Sequence, residues 1–284
     1  MTVESASRGV GLGGIIWSVT PVEPKPAASV LLVRPGLPGA REPLEVWMIR
    51  RQKGMKFLGG YYAFPGGRVD PADGAPEALA RCHGLARAEA EQVFPGGELP
   101  ALAYWVTAVR ELLEESGLLV ACDAAGRPIV AGQPVVAAAV ERVRKALMAD
   151  EAPFATLLAE EGWYCDTRPF RYLSHFVTPT TSPIRFSARF FLCPLPSGQA
   201  PRLYMEETSE GFWIAPGEGY RRFGAGQMAM AEPAEYGLGY LAQFDSLEDL
   251  LAAHADGRHK FHGIIDRIDS FWRDFDWKRN RWKA

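Results

Sequence analysis

Cysteine is scarce in this chain of 284 residues, which contains only four. The two closest, Cys165 and Cys193, lie 28 positions apart. This spacing excludes the CxxC pairs of zinc sites and the dense cysteine framework of small disulfide-bonded domains. Free thiols are therefore expected, and the fold must rest on a hydrophobic core.

The chain also lacks a long apolar run and an excess of either charge. No segment approaches the roughly 20 apolar residues that cross a bilayer, and the apolar patch within residues 1–20 is too short for a secretory signal. The 31 basic and 34 acidic side chains give a net charge of −3, which provides no global field to attract a polyanion. We therefore predict a cytoplasmic protein that binds neither nucleic acid nor membranes.

The chain has enough apolar residues to form a packed core, because 48% of its residues are hydrophobic and 11% are aromatic. Neither a linker nor an internal repeat divides the chain, so we predict one domain over residues 1–284. Gly, Pro and Ser make residues 1–27 a loose lead-in, and an amphipathic pattern predicts a helical extension over 246–284. A homodimer is expected, since most homo-oligomers are two-fold.

Hydrophobic periodicity predicts a chain in which strands and helices are mixed. The stretch 71–100 is rich in Ala, and within it residues 76–94 predict one helix or two short ones interrupted at Gly84. Between Leu102 and Ser116 the apolar residues fall on one helical face, and Gly117 is placed to end that helix. The predicted strands are 28–34, 44–50, 61–64, 172–177, 184–195 and 211–215, and further helices are predicted at 138–149 and 153–161.

Three carboxylates crowd one sector of the helix at 102–116. Glu111 lies three and four positions before Glu114 and Glu115, so their like charges repel and favour a bound cation that takes oxygen ligands. Arg110, four positions before Glu114, is placed to neutralise or orient one of them. Taken alone, this pattern is more typical of a solvated acidic helix face than of a metal site.

A glycine turn upstream argues against the solvated face. Residues 63–70, AFPGGRVD, predict a strand that ends at Gly66 and Gly67, where backbone carbonyls can approach a metal ion and backbone N–H groups can approach phosphate. Strand, glycine turn and acidic helix together are much rarer than any one of them. The combination predicts a magnesium-type site at which water cleaves a phosphoanhydride bond.

Residues 110–118, RELLEESGL, match the second half of the Nudix hydrolase signature, so the chain resembles that family. The signature reads Gly, five residues, Glu, seven residues, then Arg-Glu-apolar-x-Glu-Glu-x-Gly-apolar. Counted from Gly67, its first Glu falls on the shorter Asp73, and its Arg would fall at Arg81 rather than Arg110. We infer that 29 residues, 74–102, are inserted inside the motif. Doubling the length of a surface loop costs only about 0.6 kcal/mol, so such an insertion is tolerable.

The resemblance implies an α/β fold of the Nudix type, an α/β/α sandwich with a mixed sheet, here with a helical insertion inside the motif. It also implies that Glu111, Glu114 and Glu115 hold Mg²⁺ or Mn²⁺, with the carbonyl of Gly67 completing the metal shell. Glu111 and Glu114 are then catalytic carboxylates, and Arg110 acts with them by orienting their side chains.

The general base is left open between Glu111 and a glutamate of the later stretch 206–210, EETSE, where Glu210 is the candidate. Family members often carry a Glu shortly before a Trp-containing strand, and Trp213 follows here. An acidic surface turn would contain the same residues.

A further pattern resembles the split-motif branch that includes the peroxisomal coenzyme A diphosphatases. That branch carries an Arg, a basic residue about six positions on, a Gly four later and then Phe-Pro-Gly-Gly. Arg50, Lys56, Gly60 and residues 64–67 follow this spacing, although they would also suit a solvated basic loop. Cations here suit the 3′-phosphate of coenzyme A. The implied substrate-binding residues are Arg50, Lys56, Gly66 and Gly67.

The expected partner is a small-molecule nucleotide diphosphate, with coenzyme A or acyl-coenzyme A the favoured substrate. One alternative is a pyrophosphatase for ADP-ribose, nucleotide sugars or dinucleotides, which needs the same metal chemistry. Another is a non-catalytic Nudix-fold sensor that binds a nucleotide without cleaving it. Such sensors usually lack one of the carboxylates, and here all three are present.

Overall fold

The computed structural model describes residues 22–206 and 208–255, together with the backbone of two short strands near the C-terminus. Residues 1–21 of the predicted lead-in lie outside this description. The rest of the lead-in is not loose, because strand β1 begins at Lys25. Pairing with neighbouring strands extends β1 toward the N-terminus, since Lys25 aligns with Phe186 and Ala27 aligns with Arg68.

A seven-stranded mixed sheet forms the centre of the fold, and a smaller three-stranded sheet flanks it. The strands of these two sheets are, in chain order, β1 (Lys25–Pro35), β2 (Leu44–Arg51), β3 (Tyr62–Ala63), β4 (Gly66–Arg68), β5 (Cys82–His83), β6 (Ala121–Cys122), β7 (Tyr164–Asp166), β8 (Arg171–Val177), β9 (Phe186–Pro194) and β10 (Thr208–Ile214). The large sheet runs β10-β2-β1-β9-β8, with β3 beside β2 and β4 beside β1, and the small sheet runs β5-β7-β6. In the large sheet β1 and β9 are parallel, and the other pairs are antiparallel.

Helices cover both faces of the large sheet, as the predicted α/β/α sandwich requires. Alternate residues of β1 face opposite ways: Val30 and Leu32 pack toward one helical layer, and Leu31 and Val33 toward the other. The first layer contains α1 (Pro76–Ala80), α2 (Arg87–Val93), α3 (Ala101–Ser116), α4 (Pro134–Met148) and α5 (Phe154–Glu160), and the second contains α6 (Pro216–Gly224), α7 (Glu232–Leu241) and α8 (Leu247–Ala253). None of the helices in the described ranges is long and apolar enough to cross a bilayer.

The residues of the predicted insertion, 74–102, form α1, β5 and α2 before α3 begins. The interruption expected at Gly84 is confirmed, because that residue lies between α1 and α2 with φ +108, a value that favours glycine. Strand β5 joins the segment to β7, with Cys82 aligned with Cys165. The predicted insertion therefore pairs with the small sheet and packs in the first helical layer, and it does not project from the fold as a loop.

The segment of the predicted helical extension, 246–284, starts with a helix. Helix α8 begins at Leu247, and Ser246 caps it by accepting a hydrogen bond from the backbone N–H of Asp249. Residues 256–274 lie outside the described residues. Beyond them, β11 (Phe275–Asp276) and β12 (Arg281–Trp282) pair as an antiparallel ladder instead of a helix.

Candidate active site

The glycine turn at the start of β4 packs directly on the carboxylates of α3. The backbone N–H of Gly66 donates to Glu115 Oε2 at 2.8 Å. A Cβ added to Gly66 would lie 2.4 Å from the carbonyl oxygen of Ala28, and one added to Gly67 would lie 2.4 Å from Glu111 Oε1. Only glycine therefore lets the turn approach both β1 and α3 this closely.

Arg110 is the centre of a buried network that links the two halves of the split motif. Its Nη1 donates to both carboxylate oxygens of Glu114 at 3.0 Å and lies 2.9 Å from Glu111 Oε1. On its other side, Nη2 lies 3.1 Å from Asp73 Oδ2 and 2.8 Å from the carbonyl oxygen of Arg68. Asp73 and Arg110, which flank the predicted insertion in the sequence, are therefore in direct contact in space.

Asp73 is almost fully buried, with 2% of its surface exposed. Besides Arg110, it accepts hydrogen bonds from the hydroxyl of Thr107 at 2.8 Å and from the backbone N–H of Asp70 at 3.2 Å. A buried carboxylate needs such partners, since an unpaired one would be costly to desolvate. The shorter side chain at this signature position thus reaches the arginine of the helix.

Negative charge exceeds positive charge around this network. Burial raises the pKa of Glu111 to about 8, and although the charge of Arg110 opposes the shift, that of Glu114 adds to it. Burial lowers the pKa of Arg110, but the charges of Glu111, Asp73 and Glu114 outweigh it and raise that pKa above its usual value. One guanidinium therefore pairs with three carboxylates. The excess of negative charge favours a bound cation.

A metal ion fits this site by charge and by donor chemistry, since carboxylate and carbonyl oxygens suit Mg²⁺ and Mn²⁺. In the structure, however, no three acidic, His or Cys side chains of the described residues lie close enough together to ligate an ion. Arg110 binds the carboxylate of Glu114, and the backbone N–H of Gly66 binds that of Glu115.

A small, open cleft adjoins the C-terminal turn of α3. Sequence reasoning missed two of its residues, Arg144 on α4 and Tyr204 on the loop before β10, because only tertiary contacts bring them to the carboxylate helix. The residues that line the cleft are Glu114, Glu115, Arg144, Met148, Tyr204, Glu206 and Thr208.

Arg50 and Glu210, predicted as a substrate ligand and a base, contact each other. Arg50 Nη1 donates to Glu210 Oε1 at 2.6 Å, and the hydroxyl of Tyr62 donates to Glu210 Oε2 at 3.1 Å. The hydrogen bond from Arg50 lowers the pKa of Glu210, which makes that carboxylate a weaker base. Lys56 is exposed, and it forms no ion pair with any residue in the described ranges.

A family model described as the NUDT19 Nudix domain matches residues 80–241, more than half of the chain. The chain belongs to the Nudix hydrolase family. It is accordingly an enzyme of the pyrophosphohydrolase class. The matched range of this Nudix hydrolase contains α3 and the cleft, and it begins after the glycine turn.

Two curated relatives of this Nudix hydrolase carry the name acyl-coenzyme A diphosphatase NUDT19. The protein of Gallus gallus is 29% identical over 265 residues, which cover 79% of this chain and 69% of that protein. The protein of Homo sapiens is 28% identical over 252 residues, covering 76% of this chain and 65% of that protein. A putative nudix hydrolase 7 of Caenorhabditis elegans is 28% identical over 217 residues, covering 76% of this chain and 60% of that protein.

A solved structure supports the fold. The crystal structure of a NUDIX hydrolase from Alicyclobacillus acidocaldarius superposes with a TM-score of 0.66 at 28% identity. The superposition covers 81% of this chain and 96% of that one. The predicted Nudix-type sandwich is therefore confirmed.

Alanine at Gly67 is expected to lower kcat/KM about a hundredfold, because the new Cβ would displace the carboxylate of Glu111 and small misplacements at a reacting centre cost about that much. The backbone at Gly67 does not need a positive φ, so the fold should persist. Steady-state kinetics measures the effect. Gly224→Ala is the matched control, since a Cβ there meets no atom within 4 Å. Equal rates for the two variants would contradict the contact.

Proposed function

We propose that this Nudix hydrolase cleaves the diphosphate of coenzyme A or acyl-coenzyme A, releasing adenosine 3′,5′-diphosphate and a phosphopantetheine product. The observation that carries the proposal is the glycine turn packed on the acidic helix, with Gly66 bonded to Glu115 and Gly67 against Glu111. The names of the two diphosphatase relatives and the spacing of Arg50 and Lys56 before the turn support the choice of substrate.

The proposed metal is Mg²⁺ or Mn²⁺, held by Glu111, Glu114 and Glu115 with the carbonyl of Gly67. When bound, such an ion offsets the charge of the diphosphate and lowers the pKa of the attacking water. The buried carboxylates supply the negative charge that holds it, and the crowded glycine turn fixes the position of the Gly67 carbonyl.

Arg110 acts on the carboxylates rather than on the substrate. Its donors are engaged by Asp73, Glu114 and the carbonyl of Arg68, which leaves it placed to orient the helix carboxylates. Glu111 and Glu114 then act as the catalytic carboxylates, with Glu111 a candidate for the base that takes a proton from water.

For a base from the later loop, Glu206 is a better candidate than Glu210. Glu206 lines the cleft beside Glu114 and Glu115, and its side chain is half exposed. Glu210 is held by Arg50 and Tyr62, and its lowered pKa makes it less able to accept a proton. Glu210, the predicted second base, would therefore accept a proton only after its hydrogen bond with Arg50 is broken.

Arg50 and Lys56, which precede the glycine turn in the sequence, are proposed to bind the anionic groups of the substrate. Lys56 is available for this role, because its exposed ammonium forms no ion pair with the described residues. Arg50 would exchange its bond to Glu210 for a substrate phosphate. The expectations of a homodimer and of a cytoplasmic location stay predictions.

A substrate panel tests the proposal. With Mg²⁺ and then Mn²⁺, the full chain is given coenzyme A, an acyl-coenzyme A, ADP-ribose, a nucleotide sugar and a dinucleotide, and the products are identified by mass spectrometry. We expect coenzyme A or its acyl derivative to give the highest kcat/KM. Comparable rates on ADP-ribose with none on coenzyme A would favour the broader pyrophosphatase, and binding without cleavage of any compound would favour a sensor.

A further inference from the structure

Arg144 is a nearly buried arginine in the wall of the cleft, with 3% of its surface exposed. Its Nε donates to the backbone carbonyl oxygen of Glu114 at 2.9 Å, one of the carbonyls at the C-terminal end of α3 that no helical N–H satisfies. Its guanidinium carbon lies 3.2 Å from the centre of the Tyr204 ring. The guanidinium plane is therefore held in one orientation.

Tyr204 is itself held in place, because its hydroxyl donates to Glu141 Oε2 at 3.0 Å. Glu141 lies on the same helix as Arg144, one turn earlier, so helix α4 carries both Arg144 and the carboxylate that holds Tyr204. A rigid guanidinium loses little conformational entropy when it binds a planar or tetrahedral anion. The arrangement resembles a preformed anion receptor more than a surface ion pair.

The carboxylate that faces Arg144 is loosely bound. Glu206 Oε2 lies 3.5 Å from Arg144 Nη2, longer than the roughly 2.8 Å of a good charge-assisted hydrogen bond, and its side chain is 55% exposed. A buried cation is costly unless an anion satisfies it well. A ligand anion that reaches Arg144 at full hydrogen-bond contact would therefore displace Glu206.

The position of Arg144 relative to the acidic helix identifies the anion. Glu114 binds Arg144 through its backbone and Arg110 through its side chain, and Glu114 and Glu115 line the same cleft as Arg144. An anion at Arg144 thus lies beside the carboxylates proposed to hold the metal ion. In a diphosphate substrate, the group at that place is a phosphate of the anhydride being cleaved.

We propose that Arg144 binds a phosphate of the substrate diphosphate and that Glu206 occupies this position until the substrate displaces it. The proposal rests on the proposed function for the identity of the substrate. Release from Arg144 also frees the carboxylate of Glu206 at the moment when substrate enters, as a loop base would require.

The test compares Arg144→Gln and Arg144→Lys with Arg142→Gln on the same helix. Arg142 is a matched control, because its side chain is 64% exposed and pairs with Glu161 outside the cleft. We expect Arg144→Gln to weaken ADP binding and raise KM for coenzyme A by about tenfold or more, the loss expected for a hydrogen bond to a charged group. Calorimetric titration with ADP, with and without Mg²⁺, gives the binding constants, and the lysine variant should recover part of the loss.

Glu206→Gln provides an independent test, which can be made even if the Arg144 variants fail to fold. Removing the competing charge should tighten ADP binding several-fold, a direction that a purely structural contact does not predict. Unchanged ADP affinity in Glu206→Gln would overturn the exchange. Equal ADP affinity and KM for Arg144→Gln and Arg142→Gln, with both folded by circular dichroism, would overturn the contact.

The same variants are measured on coenzyme A lacking its 3′-phosphate. If Arg144→Gln raises KM on this substrate as well, Arg144 contacts the diphosphate. If KM is no longer raised, Arg144 contacts the 3′-phosphate instead, and the proposal is overturned. If the wild-type chain cleaves no coenzyme A, the proposed function fails. Loss of ADP binding in Arg144→Gln would then still support the anion site by itself.

Discussion

Glutamine in place of Glu114 is expected to lower kcat/KM about a thousandfold or more, because a metal ion supplies several kcal/mol of charge stabilisation in the transition state. The amide is isosteric with the carboxylate but is neutral and weakly ligating. Glu114 lines the cleft and accepts two hydrogen bonds from Arg110, so its side chain lies where the network meets the substrate space. Steady-state rates over a range of Mg²⁺ concentrations measure the loss.

Glu160→Gln is the matched control for this substitution. Glu160 is an exposed residue of α5, outside the cleft, so the same chemical change there should leave the rate unaltered. Thermal unfolding of both variants separates loss of metal chemistry from loss of fold. An unaltered rate in Glu114→Gln would show that the metal site lies elsewhere.

Alanine in place of Arg110 is expected to lower the free energy of unfolding by about 3–5 kcal/mol, the usual cost of removing one partner of a buried ion pair. Asp73, almost fully buried, would lose its cationic partner, and the carboxylates of Glu111 and Glu114 would repel each other without it. Urea unfolding followed by circular dichroism measures the change. The effect should be larger than that of any surface charge.

Arg142→Ala is the control for stability. Its exposed pair with Glu161 should contribute no more than about 1 kcal/mol. A loss of similar size in both variants would mean that the network around Arg110 is not the support of the site. Changing Arg110 and Asp73 together to apolar residues should recover part of the stability, since Asp73 then no longer leaves an unpaired buried charge.

Helix α3 and the main strands were predictable because local pattern and tertiary packing agree. The expected range 102–116 differs by one residue from Ala101–Ser116, and Gly117 ends the helix with φ +67 as a glycine cap does. The apolar runs at 28–34 and 44–50 fall within β1 and β2. Each segment has one face or both buried against a neighbour, and this is the feature that sequence periodicity records.

Helices α6 and α7 were not predictable in this way. Helix α6 contains three glycines and α7 contains two, and each glycine lowers helix stability by about 1 kcal/mol relative to alanine. Packing overrides that preference: a Cβ at Gly237 would lie 2.6 Å from the Phe64 ring, and one at Gly219 would lie 2.9 Å from Leu238. The small residues allow close contact with the sheet and between helices, and a single sequence does not reveal such contacts.

The candidate site was predictable as far as the motif extends. Its glycine turn, its carboxylates and the correspondence of Asp73 followed from spacing, whereas the contact of Asp73 with Arg110 needed the fold. Arg144 and Tyr204 have no local signal, because α4 and the loop before β10 meet α3 only through long-range packing. Glu210 illustrates the converse, since its pattern suits a base while its contacts with Arg50 and Tyr62 engage it elsewhere.

Hydrolysis of coenzyme A in ¹⁸O-labelled water, with and without Mg²⁺, tests the central claim most directly. We expect that Mg²⁺ is required and that the products are adenosine 3′,5′-diphosphate and phosphopantetheine, with one ¹⁸O atom in a phosphate of one product. Mass spectrometry of both products reads out the bond that breaks. Intact coenzyme A after full incubation, or cleavage that persists when the metal is chelated, would contradict the account.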